Sequence, residues 1–293
     1  MESMNARFWS VNRFLDFFVY LVGLYKYHFA MKTIYQVDAF TTEPFSGNPA
    51  CVVIADANTS QEWMQNIAAE MNVSETAFVI PMKTGLTIRW FTPLAEVNLC
   101  GHATLSAAHI LYETGYVKRG EELKFQSRSG ELKIKKSGTW LTMDFPAYPL
   151  IPIEVPKEFE KITGVKPVEL YSSINDWVLA FVNNEYIVRD AKPDFGAMRH
   201  SGMGHLMITA PSSETNFDFC VRCFAPSVGI DEDPVTGSAH CALTPFWYHK
   251  TGRTEFLSHQ ISKRSGILKV SMNGERVLIS GQAVTVFKAE LAF

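Results

Sequence analysis

Gly101-His102-Ala103-Thr104-Leu105-Ser106-Ala107-Ala108-His109-Ile110-Leu111-Tyr112-Glu113-Thr114-Gly115 decides how this chain reads. The run predicts a helix, yet for three turns no charged residue marks a solvent side. A helix that is apolar or small around its whole circumference has to be enclosed by other elements. Strand-like runs stand ready to enclose it: Ile34–Phe40, Cys51–Ile54, Thr76–Ile80 and Leu86–Phe91 before it, Leu123–Gln126, Leu132–Lys135 and Leu141–Phe145 after it. A second helix without a charged face in its early turns is predicted from Gly237 to Tyr248. Pro245 within it should kink it or force local rearrangement, because the ring removes a donor and crowds the preceding turn. Strand candidates surround this helix too, at Leu170–Ser173, Val178–Val182, Glu185–Arg189, Leu206–Ala210, Phe217–Phe224, Ile267–Ser271, Arg276–Ile279 and Ala283–Lys288.

The two helices sit in matching surroundings. Phe91-Thr92-Pro93 precedes the first, which ends at Gly115; Phe224-Ala225-Pro226 precedes the second, which ends at Gly252. Such an internal repeat predicts two like lobes, each a strand layer around one buried helix, with a cleft between them. Prolines 146, 149, 152 and 156 mark a linker. The expected domains are therefore 31–145, with a strand at about 283–293 as a candidate to join it, and 146–282. Thr59-Ser60-Gln61-Glu62 reads as a capping box opening an outer amphipathic helix, with Trp63, Ile67, Ala68 and Met71 on one face.

Composition narrows the class. Hydrophobic residues make up 47% of the 293 and charged residues 19%, below the usual ~25%, as expected of a folded globular chain. The net charge is −3 without a basic run, which argues against nucleic acid as a partner. Cysteines 51, 100, 220, 223 and 241 are scattered among apolar residues, a usage that fits reduced thiols in the cytoplasm. Cys220 and Cys223 have the CxxC spacing of a metal or redox pair, but the strand pattern around them sends the thiols to opposite faces. Residues 1–30 differ from the rest. Their apolar stretch is too short to span a bilayer, and the segment reads either as an extension ahead of a functional start at Met31 or as a surface-lying anchor. No membrane contact is expected of residues 31–293.

Each buried helix starts with glycine and small polar residues, leaving its first N–H groups and its dipole free for an anion. Two such starts facing one cleft would grip a small carboxylate. Glu75 lies at the mouth of an apolar strand, readable as a turn residue or as an acid/base. Asp231, Glu232 and Asp233 crowd the second helix, readable as a solvated loop or as partners of that chemistry, with Asp233 before Pro234 a turn or cap candidate. Two carboxylates in a partly dry cleft shift their pKa values apart, which separates a proton acceptor from a donor. His109 and His240 read as structural.

Ser74-Glu75-Thr76-Ala77-Phe78, Cys100-Gly101-His102-Ala103-Thr104 and Asp233-Pro234-Val235-Thr236-Gly237-Ser238-Ala239 resemble, in order and separation, the motifs of the PhzF-like, phenazine-biosynthesis-type isomerases. Asp38-Ala39-Phe40, the run from Phe45 to Ala50 and the run from Arg276 to Val284 agree, so the resemblance spans Met31 to about Leu291. It implies an α+β, diaminopimelate-epimerase-like fold with two pseudo-symmetric lobes, each a mostly antiparallel sheet rolled around a central helix, and assembly as a homodimer. It also implies a cofactor-independent, metal-free isomerase of a small carboxylate. In that reading Glu75 moves a proton between carbons, His102 and Asp233 assist, and Ser238 with the helix-start amides at Gly101 and Gly237 holds the carboxylate. Related racemases and epimerases use two opposed cysteines; here Cys100 is present but Thr236 stands at the second place, which disfavours an amino-acid racemase. A catalytically silent metabolite-binding or regulatory protein on the same fold is the alternative.

Overall fold

A computed structural model of the chain describes residues 32–292. The expected extension over 1–30 lies outside the described residues. The first half runs through β1 (Thr33–Ala39), β2 (Asn48–Ile54), α1 (Gln61–Met71), β3 (Glu75–Met82), β4 (Gly85–Phe91), β5 (Glu96–Val97), α2 (Gly101–Glu113), β6 (Leu123–Ser127), β7 (Gly130–Ser137) and β8 (Trp140–Pro146). Next come β9 (Ile151–Pro152), α3 (Phe159–Thr163), β10 (Glu169–Ser172), β11 (Trp177–Phe181), α4 (Glu185–Asp190), α5 (Phe195–Arg199) and β12 (His205–Pro211). The chain continues through β13 (Phe219–Ala225), β14 (Ile230–Asp233), α6 (His240–Thr251), β15 (Glu255–Gln260), β16 (Gly266–Asn273), β17 (Arg276–Gly281) and β18 (Ala283–Glu290).

Strand pairing makes the repeat explicit. One ladder runs β18·β1·β2·β3·β4·β6·β7·β8 and, through β8·β17, continues as β17·β16·β15·β13·β12·β11·β10·β9. The parallel steps β2·β3 and β4·β6 recur as β11·β12 and β13·β15, and the other steps are antiparallel. Short β5 and β14 pair with β4 and β13 alike. Helices α2 and α6 occupy the same place in the two halves, so the fold is α+β, two pseudo-symmetric rolls each around a central helix. Residues His102 to Ala108 of α2 are all buried, against β1, β2, β3, β8 and β18. Thr104 and Ser106 are tolerated there because their hydroxyls donate to the carbonyls of Cys100 and His102, one turn back, at 2.6 and 2.9 Å.

The loop before β2 clasps the rolls together. Asp38 is buried and accepts from Arg264 Nη2 at 2.8 Å; the same guanidinium donates to the carbonyls of Ser46 and Gly47. Gly47 adopts φ +65°, and a Cβ there would meet the Ala39 oxygen at 2.1 Å, so glycine is required. Phe40, buried in the left-handed region at φ 65°, fills the seam: Cβ atoms built on Gly281 and Gly237 would approach its ring to 2.4 and 3.3 Å, and one on Gly266 would come within 3.0 Å of its carbonyl oxygen.

Several expectations need correction. Glu185–Arg189 is not a strand but α4, because Asn184 accepts the Tyr186 N–H as an N-cap and Glu185 pairs one turn along with Arg189. The capping residue of α1 is Ser60, which accepts from Trp63 N–H at 3.2 Å, while Thr59 accepts from Lys32. Its buried residues are Met64, Ile67 and Ala68, with Trp63 and Met71 packed at the margin. Regular α6 begins at His240 rather than Gly237, after a tight turn whose bonds run three residues back, from His240, Cys241 and Ala242 to Gly237, Ser238 and Ala239. Helix α6 continues past Pro245 to Thr251. The Cys241 carbonyl that Pro245 cannot serve accepts the Tyr148 N–H at 2.8 Å, which straps the proline-rich linker to α6. Cys220 and Cys223 are free and buried in different clusters, on opposite faces of β13.

Candidate functional site

The two central helices share a local peculiarity. Outer helices α1, α4 and α5 carry side-chain caps from Ser60, Asn184 and Asp194, whereas neither α2 nor α6 has one. The N–H groups of Gly101 and His102 at the start of α2, and those of Gly237, Ser238 and Ala239 in the tight turn ahead of α6, are available to a ligand, with the positive end of each helix dipole behind them. Both starts open on one cleft of ≈ 330 Å³ whose lining includes Glu75, Gly101, His102, Asp233, Gly237 and Ser238. Every residue expected at the site thus meets in a single space. The acids beside Asp233 do not join it: Asp231 pairs with Arg199 and Glu232 with Arg222, both at 2.7 Å.

Glu75 enters at the first residue of β3, whose following residues are buried, so its backbone is fixed and its carboxyl turns to the helix start. Glu75 Oε2 lies 3.2 Å from His102 Nε2, with the side chains 15% and 10% exposed. The other ring nitrogen, Nδ1, lies 3.5 Å from Cys100 Sγ. Burial alone would raise the Glu75 pKa, but contact with His102 holds the carboxyl below its usual range. Burial would equally lower that of His102, yet Cys100 and Glu75 hold it well above the ordinary value. Both shifts favour the charged forms of the pair.

Asp233 is shifted the other way. Burial raises its pKa, Glu75 adds to the rise, and His102, Thr236 and Asn48 oppose it. Asn48 Nδ2 donates to Oδ1 at 2.8 Å and Thr236 Oγ1 to Oδ2 at 2.5 Å. Gln260 completes the support, accepting the Thr236 N–H and donating to the Asp233 carbonyl, each at 2.8 Å. The carboxyls of Glu75 and Asp233 thus have pKa values pushed apart in one cleft.

Sequence reasoning missed part of this site. Asn48 lay within a quoted motif, but nothing local marked it as the partner of Asp233. Cys100, Tyr148, Trp177 and His205 also line the cleft; Tyr148 comes from the linker, and Trp177 and His205 pair their rings across neighbouring strands at 5.3 Å. Neither His109 nor His240 lines the cleft: His109 touches Thr285 and Glu113, and His240 is held between the Thr236 carbonyl and Ser258. Donor atoms of Glu75, Cys100 and His102 lie within 4.8 Å of one another. The ring presents Nδ1 to Cys100 and Nε2 to Glu75. No helix among the described residues is long and apolar enough to cross a membrane.

Comparisons with known proteins show the family to which the chain belongs. A Pseudomonas aeruginosa protein named as an isomerase is 46% identical over 252 residues, covering 86% of this chain and 95% of its own. A Halalkalibacterium halodurans protein, also named as an isomerase, is 42% identical over 259 residues, covering 88% and 97%. The crystal structure of a PhzF-family phenazine biosynthesis protein from Enterococcus faecalis superposes with a TM-score of 0.85 at 36% identity, over 90% of this chain and all of the other. The profile described as phenazine biosynthesis-like protein matches residues 37–289, and on that span the chain belongs to the PhzC-PhzF family.

Proposed function

We propose that the protein is a cofactor-independent isomerase that moves a proton between two carbons of a small carboxylate, with Glu75 as the acid/base. One observation carries this reading: Glu75, His102, Asp233 and both uncapped helix starts line a single cleft. The carboxylate sits on the N–H groups at Gly101, Gly237 and Ser238. Glu75, charged beside His102, takes a proton from the acidic carbon, and the electron pair it leaves spreads toward the carboxylate held by the helix ends. Donors already pointed at the developing charge need no reorganisation during the step. Glu75 returns the proton to the second carbon, so the net composition is unchanged, while Asp233, with its raised pKa, assists as a donor or holds a polar group of the substrate. The isomerase names of the relatives support the reaction class.

Glu75→Gln should keep the fold and abolish solvent deuterium incorporation into the substrate, a loss of at least about a hundredfold for a removed acid/base. Unchanged exchange removes Glu75 from this role. The family resemblance extends to a homodimer, which light scattering would report as twice the mass of one chain.

A further inference from the structure

Cys100 occupies the N-cap position of α2 without making a side-chain cap bond. Its sulfur faces His102 Nδ1 at 3.5 Å, while Nε2 of the same ring faces Glu75 Oε2 at 3.2 Å. Nε2 and Oε2 meet as an ion pair without hydrogen-bond alignment, and neither has a hydrogen-bond partner elsewhere, so the contact to Cys100 is the ring's only hydrogen bond among the described residues. A thiol both donates and accepts weakly. Buried as it is, Cys100 keeps its proton, burial and the Glu75 charge both acting to raise its pKa.

We propose that Cys100 is a positioning residue that sets the proton inventory of His102. Its sulfur accepts from Nδ1–H when the ring is charged, and its S–H donates to Nδ1 when the ring is neutral, keeping the remaining proton on Nε2, toward Glu75. No bond to carbon or sulfur is made or broken, and only hydrogen-bond roles change. The titratable groups facing His102 are Glu75 from β3, Cys100 itself and Asp233 from β14; His205 lines the same cleft from β12. An apolar side chain at position 100 strands Nδ1–H in a buried place, which disfavours the charged ring most, because hydrogen bonds from ionised donors are the stronger ones.

The proposal rests on the acid/base reading of Glu75 only for its effect on turnover, and the primary test does not need a substrate. Protein labelled with ¹⁵N in histidine, with the His102 signals assigned by their loss in His102→Gln, is titrated by long-range ¹H–¹⁵N correlation. Cys100→Ala is expected to lower the His102 midpoint by roughly one pH unit, about the worth of one charge-assisted hydrogen bond. Cys100→Ser should stay within a few tenths of a unit of wild type. Should Cys100→Ala fold poorly by circular dichroism, Cys100→Val, which fills the space without a polar atom, carries the same expectation. Wild-type Nδ1 and Nε2 shifts and an unmoved midpoint in the apolar variant overturn the proposal. In turnover, the apolar variant should lose about tenfold in kcat with KM unchanged and with its pH profile displaced like the midpoint, and Cys100→Ser should recover most of the rate. A displaced midpoint together with unaltered exchange in Glu75→Gln leaves the Cys100 assignment standing and removes the isomerase reading.

Discussion

Asp233 and His240 lie seven residues apart and answer acid in opposite ways. Asp233 is held above its ordinary pKa, so the folded state binds its proton more tightly than the unfolded chain and its charge weighs against folding at neutral pH. Asp233→Asn keeps the shape, with its oxygen still accepting from Asn48 and its amide nitrogen donating to Thr236 where the carboxylate accepted. It should leave the melting temperature at pH 7 unchanged or higher while turnover is lost; a fall of several degrees would refute the assignment of that burden. His240, buried between the Thr236 carbonyl and Ser258, has its pKa pushed down to about 4 by burial. Its neutral form is the folded one, so its contribution is complete above pH 6.5 and is lost as pH falls through 4, up to about 3 kcal/mol. His240→Gln should flatten the dependence of urea-unfolding free energy on pH in that window, and an equally steep dependence would sink the claim. Gly101 stands apart from both. A Cβ there meets no atom within 4 Å and φ is unexceptional, so the fold does not require glycine; the free volume belongs to the cleft. Gly101→Ala should keep or slightly raise stability and weaken carboxylate binding, measured by calorimetry.

Elements were legible in the sequence wherever burial followed a simple period. Helix α2 announced itself by lacking a charged face, and β1 to β4 by their apolar runs. Strand β15 escaped because its inward face carries Ser258 and Gln260, polar side chains that hold His240 and Thr236, so no apolar alternation was there to read. Helix α4 was misread because its apolar, β-branched run outweighed one capping asparagine, although the repeat places that segment where α1 stands in the first half. Glu75, His102, Asp233 and both glycines could be named from motifs in sequence; Asn48 could not, since its contact with Asp233 spans 185 positions. The seam around Phe40 yields an element-scale expectation. A Cβ on Gly281 would sit 2.4 Å from the Phe40 ring and 2.8 Å from Leu105. Gly281→Ala should therefore destabilise by about 1–3 kcal/mol, the usual range for overpacking, visible as a lower denaturant midpoint.

At the scale of the whole molecule, the rolls share one ladder through β8·β17 and one clasp through Asp38 and Arg264. Neither roll can open without breaking bonds that belong to both. Calorimetry should accordingly record one transition with matching van't Hoff and calorimetric enthalpies; two resolved peaks would show that the halves melt independently. Strand β18 adds a temporal consequence. It pairs with β1 from Thr33↔Glu290 to Ala39↔Ala283, so the first roll is finished by residues translated after the whole of the second. A ribosome making this protein carries an unfinished roll with a bare β1 edge until β18 emerges, and nascent chains stalled before residue 283 should engage chaperones through that edge.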